Sequence, residues 1–179
     1  MGAVGKSQND LRGYARGVEI FIQRRSVNKL SGWISYSYGV ARYRDAATNL
    51  TFYGDYDQRS TFNAYATYRL KPSLNLSAKY RYGSNFPIAG FFQTENWRIT
   101  LSDQRNELRL PVYSRLDVRA NKSFNFDHWK LTLYGEVLNA LKRENFRYTS
   151  RTDTVNTRVA ISKDSMFPLL PIAGLRIEF

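Results

Sequence analysis

Six cations, Arg42, Lys79, Arg81, Arg115, Arg119 and Arg147, fall on the polar side of extended-looking segments or just beyond their ends. Guanidinium and ammonium groups lined along one wet face can attract and hold anions. The plainer account is a ladder of cross-strand ion pairs with Glu19, Asp117, Glu136 and Glu178, or contact with the phosphates of a lipid surface. A second candidate is the stretch from Pro87 to Trp97, whose Phe91, Phe92 and Trp97 would cap a ligand or pack against a neighbouring loop, since exposed aromatics are costly alone. Covalent catalysis finds no support. The single histidine, His128, lies in a turn beside Asp127 and Trp129 with no nucleophile spaced to reach it. Gly83, Gly90 and Gly135 are isolated and make no phosphate loop, and cysteine is absent. No enzyme activity, cofactor or metal centre is expected.

These side chains need a scaffold, and the composition narrows it. A formal net charge of +12 invites nucleic acid, an anionic membrane surface or an acidic ligand as partner. Hydrophobic residues make up 42 % of the chain, and no run is long enough for a membrane-spanning helix. Aromatics reach 15 %, with 13 Tyr, 11 Phe and 3 Trp. Aromatic residues favour strands, and in membranes they gather at the water–lipid interfaces. The first residues lack the apolar core of a signal peptide, so the expectation is a mature chain or a fragment.

Period-two alternation recurs along the sequence. Val18, Ile20 and Ile22 oppose Glu19 and Gln23, and Ile34, Tyr36, Tyr38 and Val40 oppose Ser35 and Ser37. Arg44 to Arg59 reads as a loop. Phe62 to Leu70 alternates again, Lys71-Pro72-Ser73 turns the chain, and Leu74, Leu76, Ala78, Tyr80 and Tyr82 oppose Asn75, Ser77, Lys79 and Arg81. Gly83 to Leu110 is irregular. Leu116, Val118, Ala120 and Phe124 then oppose Arg115, Asp117, Arg119 and Asn121; Trp129, Leu131, Leu133 and Val137 follow a turn at Asp127-His128. Leu175, Ile177 and Phe179 end the chain on one face, with Arg176 and Glu178 on the other.

Strands of this length, with one apolar face and alternately short and long connections, predict an all-β, antiparallel up-and-down transmembrane barrel segment. About seven strands span, eight if Asn145 to Lys163 adds one rather than forming a hairpin above the membrane. An odd count leaves an unpaired edge, so residues 1–179 are expected to be the C-terminal part of a larger barrel, with Met1 either a start or a truncation point. Tyr36, Tyr38, Tyr80, Tyr82 and Trp129 are expected interface anchors. A nucleic-acid platform would need aromatics and cations on one surface, whereas Tyr80 and Tyr82 alternate with Lys79 and Arg81; nucleic acid is not an expected partner.

Several stretches resemble the TonB-dependent receptors, large outer-membrane transporters with an N-terminal plug. They are RGYARGVEIFIQRR, SGWISYSYGVARYRD, DYDQRSTFNAYATYRL, LPVYSRLDVRANKSF, LYGEVLNALKRENFRY and the closing FPLLPIAGLRIEF. Gly174, Ile177 and Phe179 match the terminal pattern that the assembly machinery of such proteins reads; Ile172 departs from it, standing where a polar residue is commoner. The resemblance implies a bacterial outer-membrane location in contact with lipid and lipopolysaccharide. It also implies energised uptake of a siderophore, cobalamin or glycan ligand, with TonB engaged only through an absent N-terminal part. A full barrel of this kind has about 22 strands, so no transport is expected of this piece alone. The alternative is a small stand-alone outer-membrane barrel with a structural, adhesive or porin-like role.

Overall fold

In a computed structural model, which describes residues 10–96, 98–155 and 158–179, every regular element is a strand. In chain order these are β1 (Leu11–Val27), β2 (Leu30–Asp45), β3 (Thr51–Tyr53), β4 (Ser60–Lys71), β5 (Leu74–Gly83) and β6 (Phe92–Glu95). Then come β7 (Arg98–Leu101), β8 (Tyr113–Asn125), β9 (Lys130–Leu138), β10 (Phe146–Val155), β11 (Arg158–Ser165) and β12 (Leu170–Glu178). Seven long strands form one antiparallel meander in the order β1-β2-β4-β5-β8-β9-β12, with β3 added beside β2. β6–β7 and β10–β11 are separate two-stranded hairpins, so Asn145 to Lys163 contributes a hairpin and no eighth long strand. Among the described residues no ladder joins β1 to β12, and the closed form of the sheet is not seen.

Turn chemistry sorts the connections. At one end Asn28 and Lys29 both take positive φ (52° and 66°), the two-residue geometry whose twist matches a hairpin. Pro72-Ser73 joins β4 to β5, and the Phe126 N–H bonds to the Trp129 carbonyl (2.9 Å) around Asp127-His128. The opposite end carries the long connections: β2 to β4, β5 to β8, and β9 to β12. Two of these hold strands that leave no alternating pattern. β3 lies inside the expected Arg44–Arg59 loop, and β6–β7 inside the expected irregular stretch from Gly83 to Leu110.

Register turns the alternation into two faces. One face runs in rows such as Ile22–Ile34–Ala64–Tyr80–Leu116 and Ala66–Ala78–Val118–Val137; the other in rows such as Gln23–Trp33–Tyr65–Lys79–Asp117. No second layer covers either. Ile88 and Leu110 are the buried hydrophobic residues among those described, and both belong to the β5–β8 connection. Val18, Ile20 and Ile22 remain 66 %, 53 % and 57 % exposed. The accessible surface is 13440 Å², against roughly 9,000 Å² for a compact monomer of this mass. The apolar face is therefore displayed, not stored in a core.

Candidate functional site

Two neighbouring strands bring four of the expected cations together. Lys79 and Arg81 on β5 stand directly opposite Asp117 and Arg115 on β8, and Arg119 stands opposite Glu136 on β9. Arg115 grips Asp117 with two nitrogens, Nε at 2.8 Å and Nη2 at 2.7 Å. Asp117 is buried and also accepts the Asn139 N–H (3.0 Å). Arg119 reaches Glu136 at 3.4 Å and Asn121 at 2.8 Å, with its guanidinium 4.1 Å above the Tyr134 ring. Glu178 pairs with Lys130 (3.3 Å) and Arg176 (3.0 Å), while Glu19 lies opposite Ser37 and makes no ion pair among the described residues. The expected cross-strand pair forms at Arg119 and Glu136, whereas Arg115 pairs with Asp117 along its own strand. Lys79 is shared towards Asp117, and Arg81 faces a like charge with no hydrogen bond or ion pair among the described residues. A hollow of about 470 Å³, bounded by Tyr65, Lys79, Asp117, Arg119, Glu136 and Leu138, opens on this face. Lys79, Arg115 and Arg119 are the cations that line it, and Arg81 lies outside it.

Arg42 and Arg147 do not join this wall. Arg147 is on β10, outside the main sheet. Arg42 is in register with Tyr14 and Tyr53, on the same side of the ladder as Tyr36 and Tyr38. Its expected place among the polar-face cations is corrected. Side-chain type suggested the wet face, but β2 continues without a break past Tyr38, and parity keeps Arg42 on the tyrosine side.

A second constellation, absent from the expected sites, sits where the long connections meet. Asp57 is 2 % exposed and accepts bonds from the Ala41 N–H (2.7 Å), Arg59 Nε (2.7 Å) and Arg109 Nη2. Burial disfavours its charge, but the Ala41 amide and the Arg59 and Arg109 guanidinia outweigh that and hold the carboxyl below the ordinary carboxylate range. Tyr53 lies among three arginines, with Arg59 and Arg42 4.1 and 4.7 Å from its ring centre and Arg109 at 5.7 Å. Arg59 first, then Arg42, pulls its phenol below the usual tyrosine value against the opposing effect of burial. Asn106, wholly buried, donates to the Tyr53 carbonyl (2.6 Å) and Asp55 (2.7 Å) and accepts the Gly90 N–H (3.2 Å). These bonds lock the β2–β4 connection onto the β5–β8 connection. The sequence signal was the density of Asp, Tyr and Arg in YGDYDQR, without a period to give it a partner.

The aromatic stretch divides. Phe91 is 44 % exposed, Phe92 packs beneath Gly90, whose φ of 133° a side chain would strain, and Trp97 is outside the described residues. Phe86, the residue before this stretch, meets Tyr56 of the neighbouring connection edge-on at 6.3 Å. Of the expected anchors, Tyr36, Tyr38, Tyr80 and Tyr82 cluster on the apolar face near the long connections. Trp129 stacks on Phe126 (4.1 Å) at the short-turn end. Lys79 and Arg81 point to the face opposite Tyr80 and Tyr82, as the alternation predicts, while Tyr65 and Tyr134 share the face of the cations. At the terminus Gly174 lies under the Tyr134 ring on the polar face, with Ile177 opposite Leu131 on the apolar face; Phe179 is fully exposed. Among the described residues no three His, Asp or Glu side chains converge as a metal site. Comparison with protein-family models, with curated proteins and with solved structures finds no match to this chain.

Proposed function

We propose that this chain is part of a transmembrane β-barrel of a bacterial outer membrane. In this reading it is the C-terminal barrel portion, residues 1–179, of a receptor of the TonB-dependent type that takes up a large or scarce ligand. The observation that carries the reading is the uncovered apolar face of a seven-strand meander whose other face is polar. In water such a face costs about 25 cal/mol for each Å² left exposed, so a monomer needs a lipid neighbour to justify it. On β8 the face runs from Ser114 to Phe124, about 33 Å along the strand, or about 25 Å tall at the usual barrel tilt. That matches the hydrocarbon thickness such barrels cross. Lys122, on the same side near the short-turn end, turns its ammonium to Ser73 of the turn. Aromatic side chains mark both ends of the band, as interface anchors do. Short turns then face the periplasm and the locked long connections face outward. The edges β1 and β12 would pair with further strands, because lipid satisfies no backbone group.

Gly174, Ile177 and Phe179 would serve as the signal read by the barrel-assembly machinery, and TonB would act only through a plug-bearing part. Lys79 and Arg81 would line the lumen and steer an anionic ligand, with Phe91 over the outer mouth. A charge scan tests the reading. Lysine at Ile20, Ile34 or Ala66 should cost about 2–4 kcal/mol each and block assembly into the outer-membrane fraction, whereas lysine at Ser35, Thr67 or Ser77 should be tolerated. Equal tolerance on the two faces would sink the membrane reading.

A further inference from the structure

Among the described residues the buried polar side chains are Asp57, Asn85, Asn106, Asp117, Asn139 and Asn145, and all of them lie towards the long-connection end of the sheet. Four are asparagines, between 0 % and 4 % exposed. Asn85, Asn106 and Asn139 take positive φ (61°, 64° and 53°), a backbone state that asparagine tolerates better than most residues with a side chain. A primary amide also offers two donors and an acceptor without charge, so it can tie backbone from several segments at once. Asn145 does this to β8, accepting the Ser114 N–H (2.8 Å) and donating to the Ser114 carbonyl (2.9 Å). Asn85 donates to the carbonyls of Pro111 (2.8 Å) and Phe146 (3.4 Å), which joins the β5–β8 connection to the β9–β12 connection. The Asn85 carbonyl in turn accepts Arg109 (3.3 Å), and Arg109 also holds Asp57 of the β2–β4 connection. At the far side the Asn139 N–H bonds to Asp117 (3.0 Å), and its amide donates to the carbonyls of Arg143 (2.8 Å) and Phe167 (3.3 Å). The ties run unbroken from Tyr53 to Phe167.

We infer that the three long connections form a single cooperative collar, which opens as a whole and not loop by loop. Separate surface loops open singly because each one's backbone groups find water when it lifts. Here lifting one connection strips the donor from a buried carbonyl of the next, at Tyr53, Pro111, Phe146 or Phe167. Partial opening therefore costs nearly as much as full opening, which is the condition for a cooperative unit. Ile88 and Leu110, the buried hydrophobic residues among those described, lie inside the same unit and open with it. A push on one connection, from a ligand or a neighbour, is then felt by the other two. The inference stands on these bonds and does not rest on the membrane reading.

Residue-resolved hydrogen exchange of the full chain in detergent, with denaturant added in small steps, tests the collar. The amides of Gly54, Ile88, Leu110 and Met166, each bonded to a backbone carbonyl, sample the three connections. In wild type they should share one opening free energy and one denaturant slope. Asn106→Gly and Asn139→Gly keep the positive φ relaxed while deleting ties in different connections. Each should speed exchange of all four amides by the same factor, about tenfold or more, and leave the middle of β4 and β5 unchanged. Different slopes in wild type overturn the proposal, and this holds even where a glycine variant fails to fold. Acceleration confined to the connection that carries the substitution also overturns it. Equal acceleration across β4 and β5 does so too, because the collar would then have no stability apart from the sheet.

Discussion

Tyr134 lies flat across Gly174 on the neighbouring strand, so closely that a methyl group on Gly174 would overlap its ring and hydroxyl. The same ring carries Arg119 on its other contact, 4.1 Å away, which ties the last strand to the cation wall of β8. Replacing Gly174 by Ala must push Tyr134 aside and loosen Arg119. The expected cost is about 1–3 kcal/mol, read as a lower denaturation midpoint in detergent. In the Tyr134→Ala background the Gly174→Ala change should cost much less. Additive losses would show that the two residues act independently.

Asp57 makes the lock between the long connections depend on pH. Its carboxyl is held below the ordinary range, so the folded state binds its proton less readily than the unfolded chain does. The lock is therefore fully present above about pH 4, the ordinary aspartate value, and is lost as pH falls through the lowered one. Amide protection, taken relative to the intrinsic exchange rate at each pH, and protease resistance of residues 54–59 and 105–110 should stay flat from neutral pH to about 4 and fall below it. Asp57→Asn should lower both at neutral pH, at a cost of about 3 kcal/mol, and abolish the acid step. An acid step that survives in the variant would place the titrating group elsewhere.

Much of this architecture could be read from alternation, and the limits of the reading are physical. The segment Leu74–Gly83 states its two faces without ambiguity, and Pro72 announces the turn before it, because both signals are local. Arg42 shows that charge alone does not report a face: parity along β2 carries it to the Tyr36 and Tyr38 side, where the Tyr53 hydroxyl receives it. The Asp57 and Asn106 constellation joins residues about fifty positions apart through loop backbone. Such contacts leave no period in the sequence. β3 and β6 are three and four residues long, too short for alternation to register.

Arg81 and Arg115 face each other across β5 and β8, yet only Arg115 is held by an acid. Reversing the two charges should therefore have opposite effects on stability. Arg81→Glu turns a like-charge pair into an opposite one and should leave the melting temperature unchanged or raise it slightly. Arg115→Glu removes the partner of buried Asp117 and adds a second carboxylate beside it, for a loss of about 3 kcal/mol. Thermal melts of both variants in detergent decide this. Equal destabilisation would mean that Asp117 draws no support from Arg115.

Asn106 occupies a backbone conformation that few residues tolerate, with φ of 64°, and its side chain ties three segments together. These two demands can be separated. Asn106→Gly keeps the backbone relaxed but deletes the bonds to Tyr53, Asp55 and Gly90, a loss of about 2 kcal/mol. Asn106→Leu deletes the same bonds, strains the backbone and leaves the Tyr53 carbonyl buried without its donor, so it should cost about 1–2 kcal/mol more. Asn106→Asp adds a repulsion with Asp55, 2.7 Å from the present amide, and that repulsion should fade as acid neutralises the pair. Protease resistance of the β5–β8 connection should therefore rank wild type above Gly, and Gly above Leu. The Asp variant should gain resistance as pH falls from neutral towards about 4, where Asp57 still holds its charge. A Leu variant as resistant as Gly would show that φ at this position carries no strain, leaving the three hydrogen bonds as the whole of its role.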